Sequence, residues 1–304
     1  MKISIVGGAG VVGSTSAYRL AQEGIASEII LFDVRRKLAE AHAFDIEQAV
    51  THRAAKRVRA GEVADTGNSD LILLAAPEHN EAFFKPEHFA AHASHVLEIV
   101  KQVLSESPSA FWIVVTNPVD PLVYLIHREL SVPRNKVIGL NYNDTQRFRW
   151  AIRKVLSAPS TAVDAFTLGQ HGRTQVPLFS SVRVDGKPVS LSSDEIDAIR
   201  REATSFWARW AEWNPGRTTG WTTAESIGEI VTAMASGETP VVPCSICIQG
   251  EYGLRDVSLG VPVRLAQGGV KEIVEFPLQP GERKALEASA DAVREMIKAY
   301  TQRT

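Results

Sequence analysis

Apolar and polar positions fall in two regimes along this chain. Over the first half, short apolar runs alternate with stretches of helical period. Residues 2–6 form a strand that feeds a helix over 11–23, and 28–32 form a strand followed by a helix from Arg36 to Ala49. Leu71-Ile72-Leu73-Leu74-Ala75 is apolar throughout, as expected of a strand buried on both faces. A helix over 86–104, a strand over 110–115, a helix over 120–130 and a strand over 137–140 complete the series. Strictly alternating strand and helix predicts a parallel, doubly wound Rossmann-type α/β sheet that holds ligand at the carboxyl ends of its strands.

After about residue 145 the pattern changes. A helix over 145–156 leads to a strand over 162–168 and a hairpin turned at Val184-Asp185-Gly186-Lys187, where Asp-Gly is a strong turn signal. Helices over 193–213 and 222–236, strands around 241–249 and 261–266, and a closing helix over 281–300 follow. This reads as a mixed α+β half. The expected division is residues 1–144 for a dinucleotide-binding domain and 145–304 for a substrate and catalytic domain. No Gly/Ser-rich linker separates them, so the lobes are expected to pack tightly.

Composition narrows the class. The 304 residues are 44% hydrophobic and 22% charged with a net charge of −2, as in a globular protein with a sizeable core. That charge disfavours nucleic acid, and no apolar run approaches the roughly 18–20 residues of a membrane span. A strand predicted to begin at residue 2 leaves no room for a leader ahead of it, so a cytoplasmic location is expected. Cys244 and Cys247 sit in a strand-like run without the helix start of a redox pair or further zinc ligands. They read as two unpaired thiols on opposite strand faces. Trp207, Trp210 and Trp213 recur at helical spacing; a packed face or subunit contact is the first reading, a pocket wall the second.

Four places carry candidate chemistry. Gly8, Gly10 and Gly13 stand in G-x-G-x-x-G spacing between strand and helix, and Asp33 ends the next strand twenty residues later. The first glycine is expected to make the tight turn, the second to admit a pyrophosphate and the third to bring helix and strand together. Thr116-Asn117-Pro118-Val119-Asp120 breaks the chain at a strand end, where Asn117 offers an amide. Asp144 and Arg147 share a helical face, suited either to a cap with a salt bridge or to an acid beside a carboxylate-holding guanidinium. His171, between glycines after a strand, is a candidate for proton exchange near neutral pH.

Taken together with Phe44-Asp45-Ile46 and Gly250-Glu251-Tyr252-Gly253, these motifs resemble, nearly end to end, the lactate/malate dehydrogenase family of NAD-dependent 2-hydroxyacid dehydrogenases. The resemblance implies that His171 is the general acid/base and Asp144 its orienting partner. It implies that Arg147 holds the substrate's C1 carboxylate and that Asn117 meets the reacting oxygen or the nicotinamide ribose. Gly8, Gly10, Val11, Val12, Gly13 and Asp33 would hold the cofactor, Asp33 at the adenosine ribose. NAD is expected over NADP because Asp33 repels a 2′-phosphate, although Arg35 and Arg36 follow it. A homodimer or homotetramer is implied as well.

The chain departs from the family pattern where a mobile loop normally carries arginines. Residues 76–88 contain none; His79 and Lys85 stand near the two positions. Lysine keeps the charge but not the planar fork. Arg173, where the family commonly has an acid, is expected either to replace lost charge near the substrate or to be a surface charge. Thr223 suits the pocket-lining segment, whereas Glu225 beside it would repel a dicarboxylate. His92 replaces a usual asparagine. The first expectation is interconversion of malate and oxaloacetate. The alternatives are lactate or another 2-hydroxy acid, a phosphorylated or sugar acid held by Lys85 and Arg173, and a nucleotide-binding protein with weakened catalysis.

Overall fold

The computed structural model describes residues 1–52, 57–76, 85–157, 163–236 and 240–302, with the side chain of Trp207 outside the description. The expectations for His79 and for the rest of residues 77–84 therefore lie outside the described residues. The amino-terminal half runs β1 (Lys2–Val6), α1 (Val11–Glu23), β2 (Glu28–Phe32), α2 (Arg36–Ala49), β3 (Val58–Gly61), β4 (Leu71–Leu74), α3 (Pro86–Glu106), β5 (Phe111–Val114), α4 (Val119–Glu129) and β6 (Val137–Gly139). The six strands are parallel in the order β3-β2-β1-β4-β5-β6, so the direction of winding reverses between β1 and β4. Alternation along each strand feeds two cores. Ile3, Ile5, Phe111 and Ile113 pack on one face, and Val6, Trp112 and Val114 on the other. Covering both faces is what makes the strands apolar throughout.

The carboxyl-terminal half adds α5 (Tyr142–Val155), β7 (Val163–Asp164), β8 (Thr167–Gly169), β9 (Gln175–Pro177), β10 (Arg183–Val184), β11 (Lys187–Pro188), α6 (Ser193–Thr204), α7 (Phe206–Trp213), α8 (Trp221–Ala235), β12 (Val241–Gln249), β13 (Arg255–Ala266), β14 (Gly269–Ile273) and α9 (Pro280–Thr301). β12 joins the edge of β6 antiparallel, and the sheet continues through β13, β8 and β9. One sheet thus runs through both halves and carries the carboxyl end of β8 to the site. The 184–187 turn forms as expected, with positive φ at Asp185 and Gly186 and Val184 paired to Lys187. Both cysteines are buried free thiols on β12.

Some elements differ from the pattern. The helix expected over 193–213 divides at Ser205, whose hydroxyl donates to the Glu202 carbonyl at 3.2 Å. A serine hydroxyl that bonds the backbone behind it competes with helix continuation. The strand expected over 162–168 is two strands. Val163 and Asp164 pair with β10, and Thr167–Gly169 then join β13 and β9 in the large sheet. β3 carries half-buried Arg59 at the sheet edge, and β14 follows a turn at Gln267-Gly268; neither presents an apolar run long enough to read. Among the described residues, no helix is long and apolar enough to cross a membrane.

Candidate active site

The glycine turn between β1 and α1 lies at the switch in strand order. A Cβ at Gly13 would stand 2.2 Å from the Gly7 carbonyl oxygen, and one at Gly8 would stand 2.8 Å from Leu31 Cα. The backbone conformation reserved for glycine belongs to Gly7 (φ 87°), so the tight turn expected of Gly8 is made one residue earlier. Gly8 is required instead for its close approach to β2. Gly10 caps α1 without a side chain, and Val11 and Val12 form the first turn, so backbone N–H groups and the helix dipole face outward. Asp33 leaves β2 with its side chain only 6% exposed. Its Oδ2 accepts from Ala9 N at 2.9 Å and its Oδ1 from Arg35 N at 2.9 Å. An uncapped helix start, a turn with no room for side chains and a carboxylate at the next strand end together fit a dinucleotide.

On the other side of the switch, α5 presents Asp144 and Arg147 from one face. His171 Nδ1 lies 2.7 Å from Asp144 Oδ2, and Arg147 Nη1 donates to Asp144 Oδ1 at 3.3 Å. The side chains of His171 and Arg147 are each 11% exposed and that of Asp144 5%, so all three are nearly dry. With Asp144 ionised, the network assigns the Nδ1 proton to this bond and leaves Nε2 to exchange a proton. Burial opposes the imidazolium, but the charge and hydrogen bond of Asp144, with help from Asp120, outweigh it and raise the His171 pKa. Burial pulls the Arg147 pKa down against the attraction of Asp144.

Sequence reasoning missed the groups that place His171. The His171 backbone N–H donates to Asp120 Oδ2 at 2.7 Å, and the Gln170 N–H donates to Ser289 Oγ at 2.8 Å. Asn141 Nδ2 donates to the Gly169 carbonyl at 3.2 Å and to Asp120 Oδ1 at 3.3 Å. Ser245 Oγ donates to Asp120 Oδ1 at 2.7 Å. Three consecutive residues of the histidine turn are thus pinned by the loop before α5, by α9 and by α4, whose Asp120 is held in turn by Ser245 of β12. Asp120 is fully buried, and desolvation lifts its carboxyl to about 6 despite the three donors. The only sequence signal for it was its place three residues after Asn117.

Asn117 lies just beyond β5, joined to Pro118 by a cis peptide, and its carbonyl is 2.8 Å from His92 Nε2. His92 is a buried ring that supports this turn. Thr223, also buried, accepts from Asn143 Nδ2 at 3.0 Å, so it braces the first turn of α5 from behind. Lys85 is exposed at the start of α3 and Arg173 is exposed after the histidine turn. Among the described residues, neither makes a hydrogen bond or ion pair with His171, Asp144 or Arg147. Glu225 does not face this site: it pairs with Arg19 of α1 at 2.8 Å, and that hydrogen bond holds its carboxyl below the usual range. The repulsion expected from it is absent because helix phase turns it toward α1.

A Rossmann-type sheet with a dinucleotide cradle and a dry histidine–carboxylate pair at the same switch defines an NAD-dependent oxidoreductase. The chain matches the lactate/malate dehydrogenase NAD binding domain over residues 1–139 and the lactate/malate dehydrogenase alpha/beta C-terminal domain over 143–304. It belongs to the lactate/malate dehydrogenase family. It is 32% identical to a malate dehydrogenase of Chloroherpeton thalassium, with 97% of each chain covered. Among solved structures it resembles the malate dehydrogenase of Salinibacter ruber, with a TM-score of 0.90, 27% identity and coverage of 99% of this chain and 98% of that one. It also resembles a minor L-lactate dehydrogenase of Enterococcus mundtii, with a TM-score of 0.89, 28% identity and coverage of 98% and 97%.

Proposed function

We propose that this dehydrogenase interconverts malate and oxaloacetate with NAD. The observation that carries the 2-hydroxy acid chemistry is the contact of His171 with Asp144 at 2.7 Å while Asp144 also holds Arg147 at 3.3 Å, and the choice of malate follows the malate dehydrogenase to which the chain is 32% identical. His171 Nε2 takes the C2 hydroxyl proton in oxidation and returns it to the carbonyl oxygen in reduction. Asp144 fixes the ring and favours its charged form. Arg147 holds the C1 carboxylate through its planar fork. NAD, when bound, supplies the hydride acceptor; Gly8, Gly10, Val11, Val12 and Gly13 hold its phosphates and Asp33 its adenosine ribose. Asn117 stands at the strand end as an amide for the reacting oxygen or the nicotinamide ribose. Thr223 supports α5.

Residues 1–144 are then the cofactor half and 145–304 the substrate half, with the boundary inside the first turn of α5. A homodimer or homotetramer in the cytoplasm completes the reading; exposed Phe44 and Leu38 on α2 support a subunit contact. A monocarboxylate such as pyruvate is the second reading, favoured by the absence of arginine from residues 76–88. On either reading Lys85 and Arg173 are the cations proposed to contribute to substrate binding, which Lys85→Ala and Arg173→Ala test through KM. Initial rates of NADH oxidation with oxaloacetate and with pyruvate decide the substrate. Oxaloacetate is expected to give the higher kcat/KM, and a higher value for pyruvate overturns the malate reading.

A further inference from the structure

The wall beside Arg147 is aromatic. The Arg147 guanidinium lies over the Phe206 ring, 4.3 Å from its centroid. Phe206 stacks on Trp210 with centroids 5.8 Å apart and planes 21° apart. Trp210 Nε1 donates to the Arg217 carbonyl at 2.9 Å, and the Arg217 guanidinium lies 5.7 Å from the ring centroids of both Trp210 and Trp221. A ladder of cations and rings, in the order Arg147, Phe206, Trp210, Arg217 and Trp221, therefore runs from the buried arginine to the surface, where Trp221 is 68% exposed. Trp210 of the tryptophan stripe joins this ladder, whereas Trp213 is 67% exposed. Trp221 opens α8, and its neighbour Gly220 sits so close to α1 that a Cβ there would meet Val11 at 2.8 Å. The ladder is thus footed on the helix that begins at the cofactor cradle.

We propose that Phe206 is a positioning residue for substrate binding: its ring fixes the plane of the Arg147 guanidinium so that the arginine edge is presented to the substrate carboxylate. This rests on the reading of Arg147 as the carboxylate-holding group. A guanidinium offers hydrogen bonds only in its plane, so covering one face with a ring leaves the edges as the polar surface. The negative face of the ring compensates the buried cation where water is excluded. Asp144 takes one edge from α5, and the aromatic cover from α7 removes the remaining freedom to tilt. Trp210 and Arg217 hold Phe206 in place, which gives this half-buried helix a purpose that its amphipathic pattern alone does not explain. The order gained before binding lowers the entropy lost on binding, and that gain reaches KM rather than the chemical step.

The test compares Phe206→Leu, Phe206→Tyr, Trp210→Leu and Arg147→Lys in the full chain, by steady-state kinetics with NADH and whichever of oxaloacetate and pyruvate the wild type uses better. Thermal melts and NADH titrations accompany each variant. Phe206→Leu keeps apolar bulk and loses the ring, and is expected to raise KM roughly tenfold with kcat within about twofold. Phe206→Tyr keeps the ring face over the guanidinium and is expected to hold KM to within about twofold of wild type, so that the rise in KM at unchanged kcat belongs to Phe206→Leu, which keeps apolar bulk but not the ring. Trp210→Leu, on the outer side of the ladder, is expected to raise KM about threefold and serves if Phe206→Leu fails to fold. Unchanged KM in Phe206→Leu, or in Trp210→Leu if only that variant folds, overturns the proposal, as does an equal rise in Phe206→Tyr. Failure of the underlying reading is separate: it shows as an unchanged KM in Arg147→Lys.

Discussion

Asp120 and Asp144 hold the same histidine from two sides: the first accepts the His171 backbone N–H at 2.7 Å, the second faces its Nδ1 at 2.7 Å. One carboxylate sets where the residue is and the other sets how its ring is turned and charged. They sit in different environments, and different consequences follow for pH.

Asp120 is fully buried with its carboxyl at about 6, above its ordinary value of 3.8. The folded chain binds that proton more tightly than the unfolded one. This group therefore contributes stability that is fully present below about 4 and is lost as pH rises through about 6. Asp120→Asn removes the titration. Denaturant melts are expected to show a flatter stability profile between about pH 4 and pH 6 in the variant, with reduced turnover because one of the donors loses its acceptor. A profile parallel to wild type contradicts the assignment.

For Asp144 the readout is kinetic. On the role proposed for His171 as the general acid, reduction of the 2-oxo acid draws on its protonated form, whose pKa is raised above the ordinary value, so the reductive rate is expected to fall on the alkaline side of it. Asp144→Asn removes the countercharge while burial continues to oppose the imidazolium. The alkaline limb of the kcat/KM profile is expected to move to lower pH, with a loss of roughly 10²–10⁴-fold at neutral pH. An unmoved limb would mean that another group titrates there.

At the cradle, Gly13→Ala places a methyl 2.2 Å from the Gly7 oxygen, which is backbone and cannot swing aside. The turn must open. NADH affinity, followed by fluorescence titration, is expected to fall at least tenfold and the melting temperature to drop. Retention of wild-type affinity would show that the turn is not the phosphate site.

Glu225 pairs with Arg19 at the surface, its own side chain 52% exposed. Such a pair contributes at most about 1 kcal/mol. Glu225→Ala is expected to leave KM for the 2-oxo acid unchanged and to lower stability only slightly. A fall in KM would return this acid to the pocket.

Much of this site was legible because its parts lie in short local motifs: strand, glycine turn and helix at 2–23, Asp144 and Arg147 one helical turn apart, and His171 between glycines. What stayed hidden is non-local. Asp120 meets His171 across 51 residues and Ser245 across 125, and no periodicity reports such a pairing. The direction of Glu225 depended on the phase of a helix whose start was uncertain by one residue. The positive φ falls on Gly7, directly before Gly8, and the spacing motif does not say which of two adjacent glycines makes the turn. The split at Ser205, from which Phe206 begins the helix covering Arg147, is not encoded in the helical periodicity of 193–213.

The most direct test of the account is the rate of NADH oxidation with oxaloacetate at neutral pH in wild type and His171→Asn, with NADH binding measured on both. The arrangement of His171, Asp144 and Arg147 predicts turnover in the wild type and a loss of at least about 10³-fold in the variant with NADH affinity preserved. Equal rates in the two proteins would contradict it.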